Sequence, residues 1–307
     1  MTVHRLDPVP GTVTDFYSRE LPPVLTVEPG DTVIVRSLDA RGYLERQRVP
    51  GEERPQMFTV RRGHCLAGPI AVRGAQPGMT LGVRLANLSP EPWGWTVAGA
   101  RDSPLNRRLG VLDGPPCWLL WDLDVEQGTG TDDRGRTVNL APFLGVIAVA
   151  PAEPGEHSTT PPRPACGGNI DCRELVAGTT LYLPVNVPDA LLFLGDGHAA
   201  QGDGEVGGTA IECGMTTETV LELRTDAPVR TVHAITPTSR ITFGFSADLN
   251  EAMADALDAM LGWMRALYGI DKTAALALAS TAVDLRITQV ANDVWGVHAL
   301  LPNGAIR

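Results

Sequence analysis

The chain has 307 residues, of which 43% are hydrophobic and 20% charged. That is enough for a sizeable core, in about two domains or one large β-rich one, with no disulfide framework required. The formal net charge of −11 argues against binding a phosphate backbone, so no nucleic-acid partner is expected.

Glycine and proline are frequent and aromatic residues scarce, a mixture that favours short strands and turns over a helical bundle. Met1 to Asp7 carry no apolar segment of a secretory signal. No apolar run approaches the roughly 20 residues a bilayer needs, so no membrane partner is expected. The five cysteines (Cys65, Cys117, Cys166, Cys172 and Cys213) contain no C-x-x-C pair. Free thiols in a cytoplasmic protein are the simplest reading.

Residues 24–39 alternate Leu25 and Val27 with Val33 and Val35 about the turn Pro29-Gly30-Asp31, the pattern of a hairpin or a corner. Residues 80–88 repeat it, with Leu81, Val83 and Leu85 on one face and Arg84 on the other. Turn-rich stretches at 99–114 and 126–136 precede an apolar run at 143–150. Five prolines between 151 and 164 predict a loop or linker, because each removes a backbone donor. Residues 165–217 are glycine-rich with little periodicity, apart from the apolar strand at 191–194; further strands are expected at 219–224 and 240–246.

A helix is expected after Asp248, which with Glu251 makes an acidic capping box. Leu249, Met253, Leu257, Met260 and Met264 keep the helical period, and Gly269 ends it. A second helix from Asp271 to about Val283 and strands at 285–290 and 294–301 complete a mainly β chain with an α+β tail.

Two familiar motifs fail on context. Gly202-x-Gly204-x-x-Gly207 matches a dinucleotide fingerprint, but no helix start follows it. Asp122-x-Asp124-x-Glu126 resembles a calcium loop whose glycine, Gly128, falls out of register. The unusual stretch is 195–208, where Asp196, His198, Gln201, Asp203 and Glu205 are spaced by glycines and no cation intervenes. Glycines let acidic groups converge, and converging carboxylates repel unless a cation or a shared proton holds them. Two readings stand: a metal or acid–base centre, or a solvated glycine-rich loop. Gly63-His64-Cys65 and Gly168-Asn169-Ile170-Asp171-Cys172 carry further candidate groups, with Cys65 and Cys172 as potential nucleophiles. His4, His157, His233 and His298 have no comparable context and read as surface or core residues.

These residues resemble a known family. Gly168-Asn169-Ile170-Asp171, the run Leu175 to Val185, and the block Gly195 to Glu205 closely resemble the acetamidase/formamidase family. So do Gly63-His64 to Gly68-Pro69, Pro142 to Ile147, and Asp284 to Val290, in family order over nearly the whole chain. The resemblance, to the shorter branch of about 300 residues, implies hydrolysis of short aliphatic amides to a carboxylate and ammonia. It also implies a β-sandwich or jelly-roll-like fold, a homo-oligomer (dimer or higher) and a metal-containing site. On that reading residues 1–150 form a β-rich N-terminal domain, 151–247 a glycine-rich catalytic β region packed on it, and 248–307 an α+β subdomain.

The sole lysine speaks against other amidase designs. A Ser-Ser-Lys enzyme needs a lysine well before its nucleophile, and a Glu-Lys-Cys enzyme needs a cysteine after its lysine. Lys272 satisfies neither. His64, Asp171, Asp196 and His198 are therefore the expected ligands of a divalent ion, zinc first, with calcium or another divalent ion as alternatives. Glu205 is the expected general base, and Asn169 or Gln201 the oxyanion donor. Asp203 is able to exchange roles with Asp196 or Glu205. The competing functions are hydrolysis of another C–N bond, such as a cyclic lactam, and a non-catalytic binding module that keeps the metal.

Overall fold

Strands that alternate buried and exposed residues build the first of two large sheets. Thr32–Ser37, Met215–Arg224 and Thr80–Pro90 lie side by side in one half of it. Met215–Arg224 and Thr80–Pro90 pair antiparallel, with Leu221 opposite Val83. Val3–Leu6 adds a parallel edge strand, and Thr180–Pro184, His233–Ile235, Ser239–Ser246, Trp295–Pro302 and Asp284–Gln289 extend the sheet to nine strands. The structure, a computed structural model, describes all 307 residues.

The second sheet has at its centre Leu192–His198 and Phe143–Val149, paired antiparallel and buried at every position. Leu144, Ile147, Leu192 and Leu194 join Val35, Val83, Leu181 and Leu221 of the first sheet in one core. Val146, Ala148 and Phe193 enter a second cluster with Tyr17 and Leu66. These strands are covered on both faces, which is why Phe143–Val149 and the start of Leu192–His198 run apolar instead of alternating. Leu66–Val72 and Glu212–Cys213 pair with Leu192–His198, and Gly167–Asn169 pairs with Phe143–Val149. The result is a two-sheet β-sandwich with a small α+β tail, as expected.

Helix α1 (Pro104–Leu109) was not anticipated within the turn-rich stretch. Ser103 caps it, Pro104 opens it and Gly110 closes it in a left-handed conformation. Helix α2 (Leu249–Tyr268) follows its capping Asp248 and ends at Gly269, and α3 (Lys272–Ala282) follows Asp271. Ala252, Ala256 and Met260 of α2 pack on Val297 and Ala299 of the first sheet. No helix is long and apolar enough to cross a membrane.

Of the two readings for residues 24–39, the corner is correct. Leu25–Val27 pairs parallel with Ile70, Ala71 and Val72 in the second sheet, whereas Thr32–Ser37 belongs to the first. The proline-dense stretch forms only two short bridging strands, His157–Ser158 and Pro162–Arg163, and brings Thr159 and Thr160 beside the site described next.

Candidate metal centre and active-site cavity

Gly145 is the floor of the site. It lies on Phe143–Val149 between the register pairs Leu144–Gly197 and Val146–Gly195, across from Asp196. Its carbonyl accepts the backbone N–H of Ile170 at 2.9 Å and of Asp171 at 3.2 Å, which pins Asp171 beside the same strand. A Cβ at this position would stand 2.5 Å from Asp196 Oδ2, 2.6 Å from Asp171 Oδ1 and 2.9 Å from His198 Cε1. The absence of a side chain therefore leaves the space into which two carboxylates and an imidazole point.

Register supplies the remaining members. Glu212 stands directly opposite His198, whose Nε2 is 3.4 Å from Glu212 Oε1 and 3.5 Å from Asp196 Oδ1. Glu205 comes from the glycine-rich loop, which is clamped to the first sheet where Gly204 donates to Thr288 O and Val290 donates to Gly204 O. Asp171, Asp196 and His198 bring their ligand atoms within 4.8 Å of one another, and so do His198, Glu205 and Glu212. Asp171, Asp196 and Glu205 adopt φ of 53°, 60° and 43°, a left-handed backbone that non-glycine residues rarely take. Strain of this kind persists only where the surroundings impose it, and it collects at functional sites.

The electrostatics call for a cation. Both oxygens of Asp171, Oδ1 of Asp196, Oε2 of Glu212 and Oδ1 of Asn169 are buried without a hydrogen-bond partner. Burial, and then the charge of Glu205, push the Asp171 carboxyl well above its usual range. Burial does the same to Glu212, and raises Glu205 to about 8. Asp196 goes the other way: burial opposes its charge, but His64 and His198 outweigh that and hold it low. Burial likewise opposes a charge on His198, yet Glu212 and Asp196 raise it well above the usual value. Orphaned carboxylate oxygens around an imidazole fit a divalent ion, which would satisfy them and remove their mutual repulsion.

Each residue singled out from sequence has a definite place. His64 lines the cavity but is not among the groups whose ligand atoms converge; its Nδ1 faces Thr159 O at 3.3 Å. Asn169 lines the cavity too, and its Nδ2 donates to Thr160 O at 3.0 Å. Gln201 is a clamp beside the cluster: its Oε1 meets His198 Nδ1 at 2.9 Å and its Nε2 donates to Asp171 O at 2.7 Å. Such a partner fixes the tautomer of His198 and turns its Nε2 toward the carboxylates. Asp203 is exposed and outside this cavity. Glu212 and Gly145 were missed. Glu212 gives only the weak signal of a carboxylate in the apolar run Ala210-Ile211-Glu212-Cys213, and Gly145 has none without its cross-strand partner.

The thiols do not serve as nucleophiles. Burial, followed by the charge of Asp39, pushes Cys65 up to about 12, and burial with Glu174 raises Cys172 well above its usual value. Neither is a thiolate at neutral pH. Cys172 instead donates to Glu174, which Arg286 also binds and which lies 3.5 Å from His298 Nε2. That network secures the residue next to Asp171. His4 pairs with Asp31, His233 stacks on Tyr182, and Lys272 of α3 pairs with Asp258 of α2.

The fold is a β-sandwich whose cavity ends on a buried histidine–carboxylate cluster around a glycine, a candidate metal site. The chain belongs to the Acetamidase/Formamidase family, whose model matches residues 10–154 and 150–303. It is 27% identical over 301 residues to the formamidase of Methylophilus methylotrophus, covering 78% of this chain and 73% of that one. It superposes on an acetamidase from Bacillus halodurans with a TM-score of 0.86 at 26% identity, covering 97% of each chain. An acetamidase from Yersinia enterocolitica gives a TM-score of 0.84 at 25% identity, covering 99% of this chain and 93% of that one. Family membership makes the protein a hydrolase of amidase type.

Proposed function

We propose that the protein hydrolyses short aliphatic amides of the formamide and acetamide kind to a carboxylate and ammonia. The observation that carries this reading is the set of unpartnered carboxylate oxygens converging with His198 on the space above Gly145. They floor a cavity of about 260 Å³, room for a short amide and water. Asp171, Asp196 and His198 would hold a zinc ion, with His64 on the wall of the same cavity. The ion, when bound, supplies a lowered pKa for water and polarisation of the amide carbonyl.

The residues of the chain do the rest. Glu205 takes the proton of the attacking water on a carboxylate oxygen and passes it to the amide nitrogen, which cannot leave as an anion. Burial raises Glu205 to about 8 in the metal-free cluster, and a divalent ion beside it would favour the carboxylate that a base at neutral pH requires. Asn169 keeps one Nδ2 hydrogen for the developing oxyanion, while Gln201 positions His198 and Asp171. Metal analysis of the purified protein, paired with ammonia release from formamide through butyramide, tests the reading. Glu205→Gln should keep metal and fold but lose on the order of 10²-fold or more in turnover. Full activity in Glu205→Gln, or turnover of cyclic lactams in place of linear amides, would overturn it.

A further inference from the structure

We infer that the preferred substrate is a primary amide whose acyl chain ends in a carboxylate, gripped by Arg41 and Arg61; the inference rests on the amidohydrolase reading above. Both side chains line the same cavity as Asp171, Asp196 and Glu205. Neither guanidinium has a carboxylate partner, although Arg62, next in the chain, pairs with both Asp15 and Glu156. Arg101, the third arginine on the wall, is neutralised by Asp293 at 2.8 Å and is not a candidate.

Arg41 is held in place by its neighbours, whereas Arg61 is exposed. The Arg41 guanidinium lies 5.0 Å from the Trp95 ring centroid and 5.3 Å from that of Trp118, and it touches Tyr43 Oη at 3.4 Å. The carboxylates whose charge reaches Arg61 are committed elsewhere. Asp39 accepts the backbone N–H of Arg41 and of Tyr43 as well as Trp95 Nε1, and Asp15 accepts from Arg62. Desolvation, and next the charge of Arg41, push the Arg61 guanidinium below its ordinary value. Two guanidinium groups lining one cavity, neither of them paired with a carboxylate, make a site for an anion, and their planar forks suit a carboxylate.

The floor of the cavity is acidic, so a bare anion has no place there. One molecule satisfies both ends: its amide reaches the carboxylate cluster while its own carboxylate stays on the arginine wall. Short monoamides of dicarboxylic acids have this form. Water adds to the amide carbon, the C–N bond breaks with a proton delivered to nitrogen, and ammonia and a dicarboxylate leave.

The test compares kcat/KM for succinamate with that for butyramide, its neutral analogue, in metal-loaded enzyme. The wild type should prefer succinamate by about tenfold or more, and Arg41→Gln and Arg61→Gln should each bring the ratio toward unity. A ratio near one in the wild type, unmoved by either substitution, overturns the inference while leaving the amidohydrolase reading intact. Binding gives a second readout that needs no turnover, because Trp95 and Trp118 lie beneath Arg41 and report by fluorescence. Succinamate should bind more tightly than butyramide to the metal-free wild type and lose that advantage in Arg61→Gln; equal binding of the two overturns the inference. Selective succinamate binding with no amide cleaved by the metal-loaded enzyme sinks the amidohydrolase reading and keeps the arginine site.

Discussion

Gly145 decides what the carboxylates around it are able to do. Any side chain there occupies the space that Asp171, Asp196 and His198 enclose. Gly145→Ala should therefore fold, because the strand conformation needs no glycine, yet bind metal on the order of tenfold or more weakly. Metal content after gel filtration, with circular dichroism as the control for fold, checks this. Wild-type metal content in the variant would place the ion elsewhere. The same residue shows which part of the site was legible in the sequence. Asp196, His198 and Glu205 announce themselves, because glycines space them within one short loop. Asp171 and His64 stand out less and needed the family blocks. Gly145 and Glu212 become visible only through strand register, His198 opposite Glu212 and Gly145 across from Asp196, and register is a long-range property that no local window contains.

Elements exposed on one side were readable for the same physical reason. Helix α2 shows its apolar stripe and both caps, and Thr32–Ser37 and Met215–Arg224 of the first sheet alternate, because each has a wet face. Leu192–His198 and Glu212–Cys213 are buried on both faces and carry no period, so residues 165–217 gave little away. Helix α2 also shows how an element is held once formed. Gly244 lies under it so closely that a Cβ would overlap Ala252 O and crowd Ala256 N. Gly244→Ala should destabilise the protein by about 1–3 kcal/mol through overpacking. Asp248→Ala, which removes only the cap bond to Asn250 N, should cost about 1 kcal/mol. Urea denaturation ranks the two; a larger loss at the cap would mean that α2 is not seated on Ser239–Ser246 as described.

For the whole molecule, the cluster at the floor ties stability to metal and pH. Asp171, Glu205 and Glu212 all have carboxyl pKa values raised by burial, Glu205 to about 8. A carboxyl whose folded pKa is raised binds more protons in the native state than in the unfolded one. Its stabilisation is complete below the unfolded pKa of about 4 and fades as pH climbs through the folded value. His198, also raised, adds a loss in the same direction above its unfolded pKa of about 6.5. Asp196, held low, contributes a stability that is lost only in acid, outside this window. The metal-free protein should therefore lose stability steadily between about pH 5 and pH 8. A bound divalent ion replaces the shared protons, so the loaded protein should show a flatter profile and a higher melting temperature at pH 8. Thermal melts at several pH values, with chelator and with added zinc, read both effects. A metal-free protein that gains stability from pH 5 to pH 8 would show that these carboxyls do not hold their protons in the folded state, and the converging cluster described above would be wrong.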